Sequence, residues 1–213
     1  MSITVVSTVW GDWFEKYGDG FNETLEKAGC EHAVLVSDRK VPVADCVELV
    51  VRERSNHADF LNAATPVVQT DWILAMGFDD LLLENAMDPI ETDADIYGFP
   101  FLMGGLRSGI AKYLGDYENT WRLGHNPMAG GFAYRKELLL EVPFRDFIYL
   151  DWIHFCETSF LGKTFEPSDV PRTMWVRRED SLSLRGNTEA HAQVHNFQAD
   201  LAEGLIHRRV ADA

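Results

Sequence analysis

Hydrophobic positions in the first ninety residues alternate between two rhythms. Ile3–Thr8 is a strand-like run, Trp13–Ala28 carries apolar residues at helical spacing and closes at Gly29, and His32–Ser37 is strand-like again. Val47–Arg52 predicts a third strand, and Asp59–Ala64 is part of a short helix ahead of Pro66. Trp72–Met76, W-I-L-A-M, has no alternation, as expected of a strand covered on both faces. Strands alternating with helices predict an α/β fold with a mostly parallel central sheet flanked by helices.

The second half is less regular. Ile96–Phe101 reads as a strand, and the stretch from Leu102 to Met128 is glycine-rich and irregular. Gly130–Val142 predicts a turn, a short strand and a short helix, and Asp151–Leu161 is apolar at helical spacing. Thr173–Arg177 is strand-like, and Asn187–His207 is an amphipathic helix with a basic end, which suits the helix dipole. No repeat, low-complexity tract or Pro/Ser-rich linker divides the chain, so the 213 residues are expected to form one domain. Residues 1–90 would make a ligand-binding half, and residues 91–213 an acceptor-side half ending in the last helix.

Composition narrows the function classes. With 34 acidic against 19 basic residues the formal charge is −15, which disfavours a nucleic-acid partner but leaves room for a small phosphorylated ligand. The three cysteines are scattered and odd in number, which fits a reducing compartment. No apolar stretch is long enough for a membrane span, and the opening MSITVVSTVWGDW reads as a first strand, not a secretion signal. A cytoplasmic location is the expectation.

Four clusters could carry chemistry. In the loop after the first strand, S-T-V-W-G-D-W, Trp10 or Trp13 could stack on a base, or both could pack in the core. Asp38 ends the second strand, where a carboxylate can accept a hydrogen bond from a nucleobase or ribose, or can form a turn. Asp79 and Asp80 follow the buried Trp72–Met76 run, at the strand end where open α/β sheets bind ligands. They would hold a hard cation or cap the next turn. Asp151 opens an apparent helix among aromatic and aliphatic residues; it is a general base with a raised pKa or an N-cap. Of the histidines His125, His154, His191 and His195, the pair 191/195 shares a helical face without an intervening acid, so a solvated surface is expected there and not a metal site.

The order of these motifs resembles that of small inverting family-2 glycosyltransferases with the GT-A fold. Ser7–Trp10, Asp38, FLNAA around Asn62, GFDD, AGGFAYRKEL, YLDW and VRREDSLS from Val176 to Ser183 fall where that family has its characteristic segments, over nearly the whole chain. The resemblance implies transfer of a sugar from a nucleotide-diphosphate-sugar to an acceptor hydroxyl, with inversion. Thr8, Val9, Trp10, Asp38, Asn62, Asp79, Arg177 and Arg178 would bind the donor. Asp79 and Asp80 would hold Mn²⁺ or Mg²⁺. Met128, Gly130, Gly131 and Trp152 would line the sugar or acceptor pocket, and Asp151 would be the catalytic base. The acceptor class, whether glycan, protein or small molecule, is left open.

Three departures from the family pattern stand out. Gly77 replaces the first Asp of Asp-x-Asp, Leu150 replaces the Glu of a Glu-Asp pair, and Arg178 stands about where a histidine often lies. An arginine can hold diphosphate bidentately and so take over part of a metal's role. Two rival readings remain. A binding module of the same fold without turnover is favoured by Gly77. A nucleotidyltransferase would want a basic, Gly-rich phosphate loop, which S-T-V-W-G-D-W lacks.

Overall fold

The computed structural model describes residues 2–53, 56–105, 108–111, 115–124, 126, 130–177 and 188–206. The first half runs β1 (Ile3–Val9), α1 (Trp13–Lys27), β2 (Ala33–Ser37), β3 (Val47–Val51), α2 (His57–Ala64), β4 (Trp72–Ala75) and the two-residue β5 (Leu81–Leu82). It continues through β6 (Ile96–Phe99), β7 (Phe101–Gly105), β8 (Gly109–Ala111), a 3₁₀ segment at Tyr117–Arg122, β9 (Gly131–Arg135), α3 (Lys136–Glu141) and α4 (Leu150–Phe160). The last elements are β10 (Phe165–Pro167), β11 (Thr173–Arg177) and α5 (Thr188–Ala202).

Seven strands form the central sheet in the order β10-β6-β9-β4-β1-β2-β3. All neighbours are parallel except those of β9, which runs antiparallel between β4 and β6. The strands of the first half lie where the apolar runs place them. Every residue of β1 is buried, and alternate positions feed opposite faces. Ile3, Val5 and Val9 join Phe21 and Leu25 of α1, whereas Val6 joins Ala58, Phe60 and Leu61 of α2. β4 does the same, with Trp72 and Leu74 on the α1 side and Ile73 on the α2 side. Each such side chain contributes about 1.5–3 kcal/mol by leaving water.

The second half departs from the sequence reading in two places. The expected strand Ile96–Phe101 is two strands in two sheets, parted at Pro100, which cannot donate to a ladder. A second sheet, β5-β11-β7-β8, leans over the carboxyl edge of the first and was not anticipated. Apart from both sheets, α4 and α5 close a separate core of Trp152, Ile153, Cys156, Val194, Phe197 and Leu201. Among the described residues no helix is long and apolar enough to cross a membrane.

Candidate active site

The carboxyl ends of β1, β2 and β4 lie side by side at one edge, because those strands are adjacent and parallel. Asp38 follows β2 there. Its Oδ2 accepts the Gly11 N–H at 3.0 Å, and its Oδ1 is buried without a hydrogen-bond partner. Arg39 completes the clamp, donating to the Gly11 carbonyl and, at 2.7 Å, to both oxygens of Glu15. The Gly11 peptide is thus gripped at both ends, with φ of +62°, a conformation natural to glycine. Trp10 is half-buried, its ring edge-on to His57 and Phe60. Thr8 and Val9 are buried in β1, Val9 within the core, so the strand end faces a ligand mainly through its backbone.

β4 leaves the core through a short hydrogen-bonded turn. Met76 N–H donates to Val6 O, Ser7 Oγ to Met76 O, and Asp80 N–H to Gly77 O. Phe78 plugs inward, 4% exposed, against Phe21 and Phe14. That plug forces its neighbours outward, leaving Asp79 and Asp80 half-buried at the edge. Asp80 Oδ1 accepts the Val176 N–H of β11 at 3.0 Å, which brings the strand leading to Arg177 against the aspartates. The Arg177 side chain, Arg178 and Met128 lie outside the described residues.

Asp151 stands in the first turn of α4. The residue is exposed at the start of the helix, yet protein packed around it partly desolvates its carboxyl. This desolvation raises its carboxyl above the ordinary value, against the opposing pull of the Trp152 and Asp151 backbone N–H groups. Its charge is felt at Tyr134 of β9, whose hydroxyl is pushed up mainly by burial. Three turns of tightly packed helix hold it. His154 is 1% exposed, wedged against Tyr134 and Phe144, with Nε2 at 2.9 Å from Val142 O. Burial pushes its pKa down to about 4, so the ring is neutral and donates through Nε2, leaving Nδ1 buried without a partner. Glu157, 5% exposed, takes two hydrogen bonds from Arg145 at 2.8 and 2.6 Å.

Several expected site residues do other work. Asn62 is engaged within the fold: its Nδ2 donates to Phe144 O at 2.8 Å and its Oδ1 accepts the Phe144 N–H at 2.9 Å. Both ends of the amide imitate a backbone pairing that ties α2 to the chain after α3. Trp152 is 2% exposed, between Tyr149 and His191, and anchors α4 as a core residue; its indole N–H lacks a partner. Gly130 and Gly131 sit at the same carboxyl edge, but the close approach they permit is to the protein itself. A Cβ on Gly131 would lie 2.2 Å from the Phe99 ring, and one on Gly130 2.6 Å from Phe99 O. His191 packs edge-on against Tyr149 and Trp152, and His195 faces Gln198. Sequence reasoning missed Arg39 and the Val176 amide, since their partners Glu15 and Asp80 lie 24 and 96 residues away.

The cation implied by the motif order can be tested against these residues. Two carboxylates converge above Gly77, which has no side chain to fill the space: a Cβ there would lie 2.6 Å from Asp80 Oδ2 and 3.5 Å from Asp79 Oδ1. Among the described residues no group of three His, Cys, Asp or Glu side chains could hold a metal unaided. One or two carboxylates completed by diphosphate oxygens and water is nevertheless the usual arrangement for Mg²⁺, so the pair fits.

No family model matches the chain, and no curated protein sequence does. Solved structures do. S. aureus TarS 1-349 in complex with UDP-GlcNAc superposes with a TM-score of 0.68 at 14% identity, over 94% of this chain and 66% of that one. TarS 1-349 in complex with UDP gives 0.58 at 12% identity, over 96% and 71%. Against a longer TarS structure the score is 0.58, with 43% of that chain covered. The chain therefore spans about two thirds of the TarS fragments it resembles. The fold is the GT-A-like one that the motif order led us to expect.

Proposed function

We propose that this chain is a glycosyltransferase taking its sugar from a uridine-diphosphate-sugar. The observation that carries the reading is Asp38, clamped on one oxygen by Gly11 and presenting the other, buried and unpartnered, at the donor edge. A buried carboxylate oxygen without a donor is costly, and a nucleobase N–H or ribose hydroxyl would satisfy it. The similar TarS fragments hold UDP-GlcNAc and UDP.

In this reading Thr8, Val9 and Trp10 support the base. Asp79 and Asp80 would hold Mn²⁺ or Mg²⁺, which when bound offsets charge on the departing diphosphate. Arg177 ends the strand that Asp80 holds and Arg178 follows it in sequence; both would bind the same phosphates. Asp151 performs the proton step. Its carboxylate takes the proton of an acceptor hydroxyl as that oxygen bonds to the anomeric carbon, while the carbon–phosphate oxygen bond breaks and its electron pair leaves with the diphosphate. Attack opposite the leaving group inverts the centre. A carboxyl raised above its ordinary value by desolvation is a better proton acceptor for this work than an ordinary one.

The test is thermal unfolding with UDP, UDP-sugars and other nucleotide diphosphates, each with Mn²⁺, Mg²⁺ or EDTA. A ligand near 100 times its Kd adds about 2.7 kcal/mol, a shift of roughly 5–10 °C for a domain of this size. A uridine-specific shift is expected, and no shift with any nucleotide would overturn the reading. A binder without turnover is the second reading, favoured by the missing carboxylate at Gly77. Slow UDP release from a bound UDP-sugar, abolished in Asp151→Asn, separates the two.

A further inference from the structure

Resting on the donor site just proposed, we infer that Gly77 is not a vacated ligand position: it is the space that Asp80 requires to latch the second sheet onto the donor edge. Three observations meet here. β11 pairs with β5 only through Thr173–Leu82 and Met174–Leu81, because β5 is two residues long. The N–H of Val176 therefore falls beyond the end of that ladder, and Asp80 Oδ1 accepts it at 3.0 Å. A side chain continues the ladder where the backbone has turned away.

The second oxygen of the same carboxylate needs the room above residue 77. An added Cβ would stand 2.6 Å from Asp80 Oδ2, closer than such atoms approach, and a tight 3.2 Å from its Cγ. Asp80 cannot simply swing aside, since its side chain is short, its own N–H is tied to Gly77 O at 3.1 Å, and Oδ1 is committed to Val176. Any side chain at 77 would push the carboxylate off β11. The latch sets where β11 ends, at Arg177 paired with Gly105. Asp80 is a positioning residue, and restoring the Asp-x-Asp spacing by Gly77→Asp should damage the site.

The experiment compares wild type with Gly77→Ala, Gly77→Asp, Asp80→Asn and Asp80→Ala. Hydrogen exchange at the Val176 amide is followed by NMR in EDTA, and UDP binding is measured by calorimetry with and without Mn²⁺. Asp80→Asn adds no bulk and keeps an acceptor, so Val176 exchange stays slow while the Mn²⁺-dependent part of UDP binding is lost. Asp80→Ala and both Gly77 variants speed Val176 exchange. Both Gly77 variants also weaken UDP binding by about tenfold or more, the scale of a lost bond to a charged group. Unchanged Val176 exchange in Gly77→Ala and Asp80→Ala, or tighter Mn²⁺–UDP binding by Gly77→Asp, overturns the latch. Wild type failing to bind UDP at all, with Val176 exchange responding as described, overturns the donor reading and leaves the latch standing.

Discussion

At the carboxyl edge of the central sheet, Asp38 and Asp80 are fastened by backbone N–H groups from another loop or strand, Gly11 and Val176. At the start of α4, Asp151 is held by no such N–H from another loop or strand among the described residues; its position comes from the buried helix that bears it, and desolvation raises its affinity for a proton. The fastened carboxylates have fixed directions, which suits recognition of a ligand's N–H or a cation. The crowded one has a mobile proton, which suits a base. Position is thus set by loop hydrogen bonds on one side of the site and by helix packing on the other.

The sharpest way to break this contrast is Asp151→Asn. Transfer should fall by about 10²–10⁴-fold, the usual worth of a positioned base, while the thermal shift with UDP is retained; equal loss of both would merge the two roles. Next comes Glu157→Ala, which leaves Arg145 partly buried without its carboxylate. Chemical denaturation should show a loss of about 3 kcal/mol, the lower end for a broken buried pair because Arg145 keeps some water. UDP binding should persist in the folded fraction. Asp38→Ala should weaken UDP binding by about 1.5–3 kcal/mol, read by calorimetry, with little change in stability.

The remaining effects appear only as a dependence on pH, and they run in opposite senses. Asp151 holds its proton more firmly folded than unfolded, so its contribution to stability is present at low pH and fades as pH rises from about 3.8 through its raised value. Asp151→Asn should flatten that decline even as it removes activity. His154 resists protonation down to about 4, whereas in the unfolded chain it takes a proton near 6.5. Stability should therefore drop as pH falls from about 6.5 to 4, and His154→Phe should remove that slope. Denaturant unfolding at stepped pH measures both.

The first half of the fold was legible because its strands are buried on both faces and its helices carry one apolar stripe, so every element announces itself locally. The bounds of β1, α1, β2, β3 and β4 differ from the expected ones by a residue or so. The second half was not, for physical reasons. β5 is two residues long and β8 three, too short for a rhythm, and the reversal of β9 depends on partners dozens of residues away. Within the site, strand-end aspartates could be placed by position alone. What each residue bonds to could not: nothing near Asn62 announces Phe144, and nothing near Gly77 announces that Asp80 leans over it.

Gly131 and Phe99 face each other across β9 and β6, and a single added methyl at 131 would sit inside the ring. That contact imposes an order on change. Enlarging residue 131 first is blocked, whereas shrinking Phe99 first opens a cavity that a later Gly131→Ala can fill. The two positions should therefore change as a pair, with Phe99 the first to shrink. A double-mutant cycle on Phe99→Leu and Gly131→Ala would reveal this as strong coupling, with the double variant more stable than Gly131→Ala alone.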